Sequence, residues 1–135
     1  MASIHKDIPI NAPADAVWDA VRDFGALHTR LAPGFVTECK LDGEARNVTF
    51  ANGTTARELL VDRDDARRRL VYAVISERVT QHSASAQVIA EGETCCRFVW
   101  ITDVLPNEIT PYVRAQMDAG AAAMQKALSR MKAAV

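Results

Sequence analysis

The order of elements legible in this chain predicts an α+β domain, an antiparallel sheet of seven strands with its helices segregated from it. Three observations predict it. Period-two alternation of apolar and polar residues runs through the middle of the chain, broken by short glycine turns; a proline-led helical pattern follows the first strand; and a long, alanine-rich amphipathic stretch closes the sequence.

Each element follows from local chemistry. Ser3 to Ile10 sets Ile4, Lys6, Ile8 and Ile10 against His5, Asp7 and Pro9, which reads as a strand with one wet face. Pro9 has no backbone donor, so it belongs at an edge or an irregular point. Asn11 turns the chain, Pro13 suits a first helical turn, and Val17, Trp18 and Val21 recur at helical spacing. A second short helix is expected from about Gly25 to Leu31, stopped by Pro33-Gly34. Phe35 to Leu41 and Ala45 to Ala51 then flank Asp42-Gly43-Glu44, and Asn52-Gly53 is a strong hairpin signal leading into Thr55 to Asp62. Leu70 to Ser76, His82 to Ala90 and Thr94 to Val104 complete the strands. Asn107 or Thr110 can cap the last helix and Pro111 fits its first position. Ile109, Val113, Met117, Ala121, Met124, Leu128 and Met131 share one face of it.

A single domain over residues 1–135 is expected, with no linker or repeat, and 49% hydrophobic residues supply a full core. Lys and Arg number 16 against 17 Asp and Glu, a net charge of −1 that gives no electrostatic case for a nucleic-acid partner. The basic run Arg63, Arg67, Arg68, Arg69 is interleaved with Asp62, Asp64 and Asp65, the pattern of a solvated turn. No apolar stretch is long enough to span a membrane, and the N-terminus lacks a secretory pattern. Cys39, Cys95 and Cys96 form neither a metal spacing nor a disulfide framework, so a cytoplasmic location, no metal and no cofactor are expected. Adjacent Cys95 and Cys96 should point to opposite faces of a strand. Glycine-rich phosphate loops and Gly-x-Ser-x-Gly elbows are absent from the sequence.

Several patterns resemble the helix-grip superfamily, which includes the START, birch-pollen-allergen and polyketide-cyclase-like proteins. Ile8-Pro-Ile-Asn-Ala-Pro-Ala-Asp-Ala-Val-Trp looks like its opening strand and helix. Gly43-Glu-Ala-Arg-Asn-Val-Thr-Phe-Ala-Asn-Gly followed by Glu58-Leu-Leu is similar to its central hairpin, and Trp100 six residues before Pro106 to the strand that enters the long helix. The likeness covers nearly the whole chain and is nearest to the bacterial polyketide cyclase/dehydrase-like branch. Arg30-Leu31 departs from the aromatic often found there, so the cavity rim differs. The resemblance implies a curved sheet wrapped around the C-terminal helix, enclosing a cavity for a small hydrophobic molecule such as a lipid or polyketide. A monomer or weak homodimer is expected.

Strand alternation then nominates the lining: Val48, Phe50, Leu60, Tyr72, Ala84, Ala86, Phe98 and Trp100 from the sheet, and Met117, Ala121 and Met124 from the helix. The small residues, with Gly120, withdraw volume where a packed core would want leucine. An ordinary core would show the same helical stripe, so the cavity follows from the resemblance. Glu38, Arg46, Glu58 and His82 are the polar candidates on inward positions. A buried Glu58 would need a partner, and Arg46 is the natural one. Three functions fit: non-catalytic binding; a cofactor-free cyclase- or dehydrase-like enzyme with Glu58 and His82 as acid and base; and a protein-interaction module working through the pocket rim.

Overall fold

The computed structural model describes residues 2–130. Seven strands, β1 (Ala2–Ile10), β2 (Val36–Asp42), β3 (Ala45–Phe50), β4 (Thr55–Asp64), β5 (Arg69–Ile75), β6 (Gln81–Glu91) and β7 (Cys95–Leu105), form one sheet. The spatial order is β1-β7-β6-β5-β4-β3-β2, antiparallel throughout, so five hairpins run in succession and the first strand closes onto the last. Helix α1 (Ala14–Arg22) follows β1, and helix α2 (Thr110–Ser129) lies across the concave face after a 3-10 turn at Asn107–Ile109. This is the helix-grip α+β architecture. Among the described residues no helix is long and apolar enough to cross a membrane.

The tight turns follow from their residues. At Asn52-Gly53 the glycine takes φ +88°, a region side chains disfavour, while the Asn52 side chain accepts from the Thr54 backbone N–H at 3.0 Å. Helix α1 starts behind Pro13, whose carbonyl accepts from Val17 N–H at 3.1 Å. It buries Ala14, Val17, Trp18 and Val21, the apolar stripe of an amphipathic helix. The expected second helix is more broken than its spacing suggests. Phe24–Ala26 is a 3-10 turn, and Leu27–Leu31 is a wide turn closed by Ala32 N–H on the Leu27 carbonyl at 2.8 Å.

The charged turn after β4 is exposed, yet it also clasps α1. Asp65 accepts from Trp18 Nε1 and Arg22 Nε, both at 2.9 Å, and Arg68 donates to Asp15 at 2.8 Å. Sequence charge alone could not show that the turn folds back onto a helix fifty residues earlier. Cys96 is buried on the concave side, where burial pushes its thiol up to about 11, while Cys95 is half-exposed on the opposite face.

The core lies between α2 and the concave sheet face. Ile4, Ile8 and Ile10 of β1, Phe98 and Trp100 of β7, and Val113, Met117, Gly120, Met124 and Leu128 of α2 are all buried. Lys6 stands on the same face as Ile4 and Ile8 and reaches Asp118 of α2, while Gln125 donates to the Pro9 carbonyl at 3.1 Å. Met131, the last position of the expected helix face, lies outside the described residues.

Candidate functional site

The space between α2 and the sheet is not completely filled. It holds a cavity of about 410 Å³, within the range of small-molecule sites. Its wall comes from Val21, Leu27, Leu31, Phe35, Val36, Phe50, Leu70, Val74, Phe98, Val113, Met117 and Met124. Its mouth lies where the β3–β4 turn (Gly53, Thr54), the β5–β6 loop (Ser76, Arg78, Val79) and the start of α2 (Ile109, Tyr112, Gln116) converge.

Arg46 and Glu58 sit opposite each other on neighbouring strands, 3% and 6% exposed. Glu58 Oε1 accepts from Arg46 Nε at 2.8 Å and lies 2.7 Å from Nη2. Arg46 Nη1 also donates to the Phe24 carbonyl at 3.2 Å. The guanidinium stacks 3.9 Å from the Phe24 ring centroid and 5.2 Å from that of Tyr72. Both Arg46 donors converge on one carboxylate oxygen, and no donor among the described residues reaches the other. Burying two charges is tolerable here because they neutralise each other and the arginine lies against aromatic faces.

A second polar pair stands beside the first. Trp100 Nε1 donates to the Tyr72 hydroxyl at 3.0 Å, which leaves the phenol proton free to point at a guest. Burial and then the Glu58 carboxylate hold the Tyr72 hydroxyl far above its ordinary range, so it stays a neutral donor. Thr102 is 1% exposed, and its hydroxyl has no hydrogen-bond partner among the described residues.

His82, half-buried at the start of β6, lines the same cavity. Desolvation lowers its pKa, opposed by the Glu58 charge, so the ring is neutral at neutral pH. The sign of the consequence follows. As pH falls through the ordinary histidine value near 6.5, the unfolded chain takes a proton that the folded one refuses, and stability is lost. His82→Gln should therefore flatten the acid-side loss by up to about 1.4 kcal/mol per pH unit. Urea midpoints of both proteins at pH 7.5 and pH 5.5 measure it; equal losses would show His82 to be freely solvated.

Of the residues nominated from sequence, Arg46, Phe50, Glu58, Tyr72, His82, Ala86, Phe98, Trp100, Met117 and Met124 line this cavity. Five do not. Glu38 is exposed and paired with Lys40 at 2.8 Å. The reason is a bulge: Val36 pairs with Phe50 but Glu38 with Thr49, so the extra residue reverses which side of β2 faces inward. Cys39 takes the inward position instead. Val48 and Ala84 face inward but are covered, Ala84 between its larger cross-strand partners Tyr72 and Thr102. Leu60 is the last inward residue before a second bulge in β4. Ala121 falls at the edge of the helical stripe, whose centre is Gly120. A Cβ at Gly120 would stand 3.1 Å from the Trp100 ring and 3.2 Å from Phe35.

Sequence reasoning missed the mouth, the wall that α1 and the turns after it supply (Val21, Leu27, Leu31, Phe35), and several inner residues of the sheet and α2, Val36, Leu70, Val74, Thr102 and Val113. Val74 and Thr102 were within reach, each two places beyond a nominated neighbour on the same strand face. Arg78, Tyr112 and Gln116 lie in a loop and on a helix flank, where no periodicity marks them. Among the described residues, no three His, Cys, Asp or Glu side chains converge as metal ligands would.

Comparison with known proteins places this geometry in context. The sequence model of the family described as polyketide cyclase / dehydrase and lipid transport matches residues 1–135. No curated protein matches the sequence significantly. Among solved structures, a Thermobifida fusca protein is 28% identical, with a TM-score of 0.80 over 99% of this chain and 95% of that one. The protein XoxI from Bacillus cereus is 22% identical, with a TM-score of 0.83 over 95% of this chain and 96% of that one. A point mutant of norcoclaurine synthase from Thalictrum flavum, in complex with a transition-state analogue, is 22% identical, with a TM-score of 0.76 over 97% and 96%.

Proposed function

The chain belongs to the polyketide cyclase/dehydrase and lipid transport family, and from that premise we propose that it binds a small apolar molecule in the cavity beneath α2. One observation carries the reading: an apolar-walled space of about 410 Å³ that has Arg46, Glu58, Tyr72 and Thr102 on its inner surface. The wall supplies affinity without direction, and the few polar groups orient the guest. Native mass spectrometry of freshly purified protein tests this. A retained apolar molecule, or saturable uptake of an environment-sensitive dye, is the expected result. Protein that carries nothing and takes up no dye would defeat the reading.

A second reading, catalysis without a cofactor, is favoured by two features of the same cavity. Glu58 has an unclaimed carboxylate oxygen, and neutral His82 can accept a proton. Such a pair suits proton transfer on an enolisable keto compound. Glu58→Gln separates the two readings. An orienting anchor predicts weaker dye and ligand binding, whereas an acid or base predicts retained binding and lost turnover. The variant also deprives buried Arg46 of its counter-charge, so both assays belong well below its lowered melting temperature.

A further inference from the structure

The charges around the cavity are distributed unevenly from its inner surface to its mouth. Two arginines and one glutamate line it. Arg46 is neutralised inside by Glu58. Arg78, exposed at the mouth, has no carboxylate within ion-pair distance among the described residues; Glu77 and Glu108 nearby are exposed and unengaged with it. Its guanidinium instead stands 5.6 Å from the Tyr112 ring centroid, held toward the opening. The Tyr112 hydroxyl donates to Thr54 Oγ1 at 3.4 Å, because the Thr54 proton goes to Asn52 Oδ1 at 2.6 Å, whereas the Gln116 amide, also lining the mouth, has no side-chain partner among the described residues. Two free donors, the Arg78 cation and the Gln116 amide, therefore converge at one rim, while the inner cation Arg46 is already paired with Glu58 and leaves no unmatched charge inside to receive an anion.

We infer that the molecule bound here is an amphipathic acid, seated with its neutral end inward and its carboxylate at the mouth against Arg78. This rests on the binding reading above and adds the ligand's class and direction. Tyr72 suits a neutral oxygen inside the cavity, since its hydroxyl accepts from Trp100 and keeps a free proton. A carboxylate at the rim keeps part of its hydration and gains charge-assisted bonds.

Two probe pairs of matched shape test it: decanoic acid with decanamide, and 2-naphthylacetic acid with 2-naphthylacetamide. At pH 7.5 and low salt, wild-type protein should bind each acid about five- to tenfold more tightly than its amide, the range of a partly exposed charge-assisted contact. Arg78→Met should weaken the acids to the level of the amides and leave the amides unchanged. Arg78→Lys should keep most of the preference, and Arg78→Glu should reverse it. Equal binding of acid and amide by the wild type, or an Arg78→Met variant that weakens both alike, would overturn the inference and leave the cavity reading standing. If no probe binds, the inference and the reading beneath it fall together. Arg78 is exposed, and circular dichroism of each variant confirms that the fold is kept.

Discussion

Replacing Arg46 with methionine is expected to cost about 3–5 kcal/mol of folding stability, read as a large fall in urea midpoint. The cost does not measure the strength of the ion pair. It arises because Glu58, 6% exposed, keeps its burial and loses both donors on Oε1. Against a total stability of roughly 5–15 kcal/mol for a domain, that loss brings the protein near its unfolding threshold. Two further outcomes identify the cause. The deficit should shrink at low pH, where the orphaned carboxylate can take a proton and be buried neutral. The double variant Arg46→Met, Glu58→Leu should recover most of the loss, because an apolar pair of similar volume leaves no charge behind. A single-variant loss below about 1 kcal/mol would mean that water reaches the pair from the cavity and solvates it.

The second large effect concerns Gly120. The helix face could have carried an alanine or leucine at this point, but Trp100 and Phe35 press against the helix backbone, 3.1 Å and 3.2 Å from where a Cβ would be. Gly120→Ala gains about 1 kcal/mol of helix propensity and asks the rings to move a few tenths of an ångström. Both rings border open space, so the net change should stay within about 1 kcal/mol. Gly120→Leu is different in kind. Its added carbons drive Trp100 and Phe35 into the cavity, at an overpacking cost of about 1–3 kcal/mol. Fluorescence titration with an apolar dye should then show at least a roughly tenfold loss of affinity in protein that is still folded, since the wall has moved into the space the dye needs. Undiminished dye binding by the leucine variant would place the dye somewhere other than this cavity. Trp100 also positions the Tyr72 hydroxyl, so the same displacement disturbs the inner polar end.

The elements and their order were legible in the residues because each is governed by local rules. Alternation marked six strands after α1, Asn52-Gly53 marked a turn that only a glycine accepts readily, and the Val113, Met117, Met124, Leu128 stripe marked the long helix. Pairing of Arg46 with Glu58 was also within reach, since a carboxylate and a guanidinium on inward positions of adjoining hairpin strands must find each other once buried. Glu38 was misread because a one-residue bulge is invisible to alternation, yet it inverts every side chain that follows it. The mouth was out of reach for a different reason. Arg78, Tyr112 and the Thr54 turn are distant in sequence and obey no common period, and they meet only because the β3–β4 turn, the β5–β6 loop and the start of α2 end at the same edge of the curved sheet. Sequence by itself therefore determined which residues form strands and helix, through the periodicity of burial. Tertiary structure alone decided how far α2 stands from the sheet, through the contact of Gly120 with Trp100, and hence that a space remains between them.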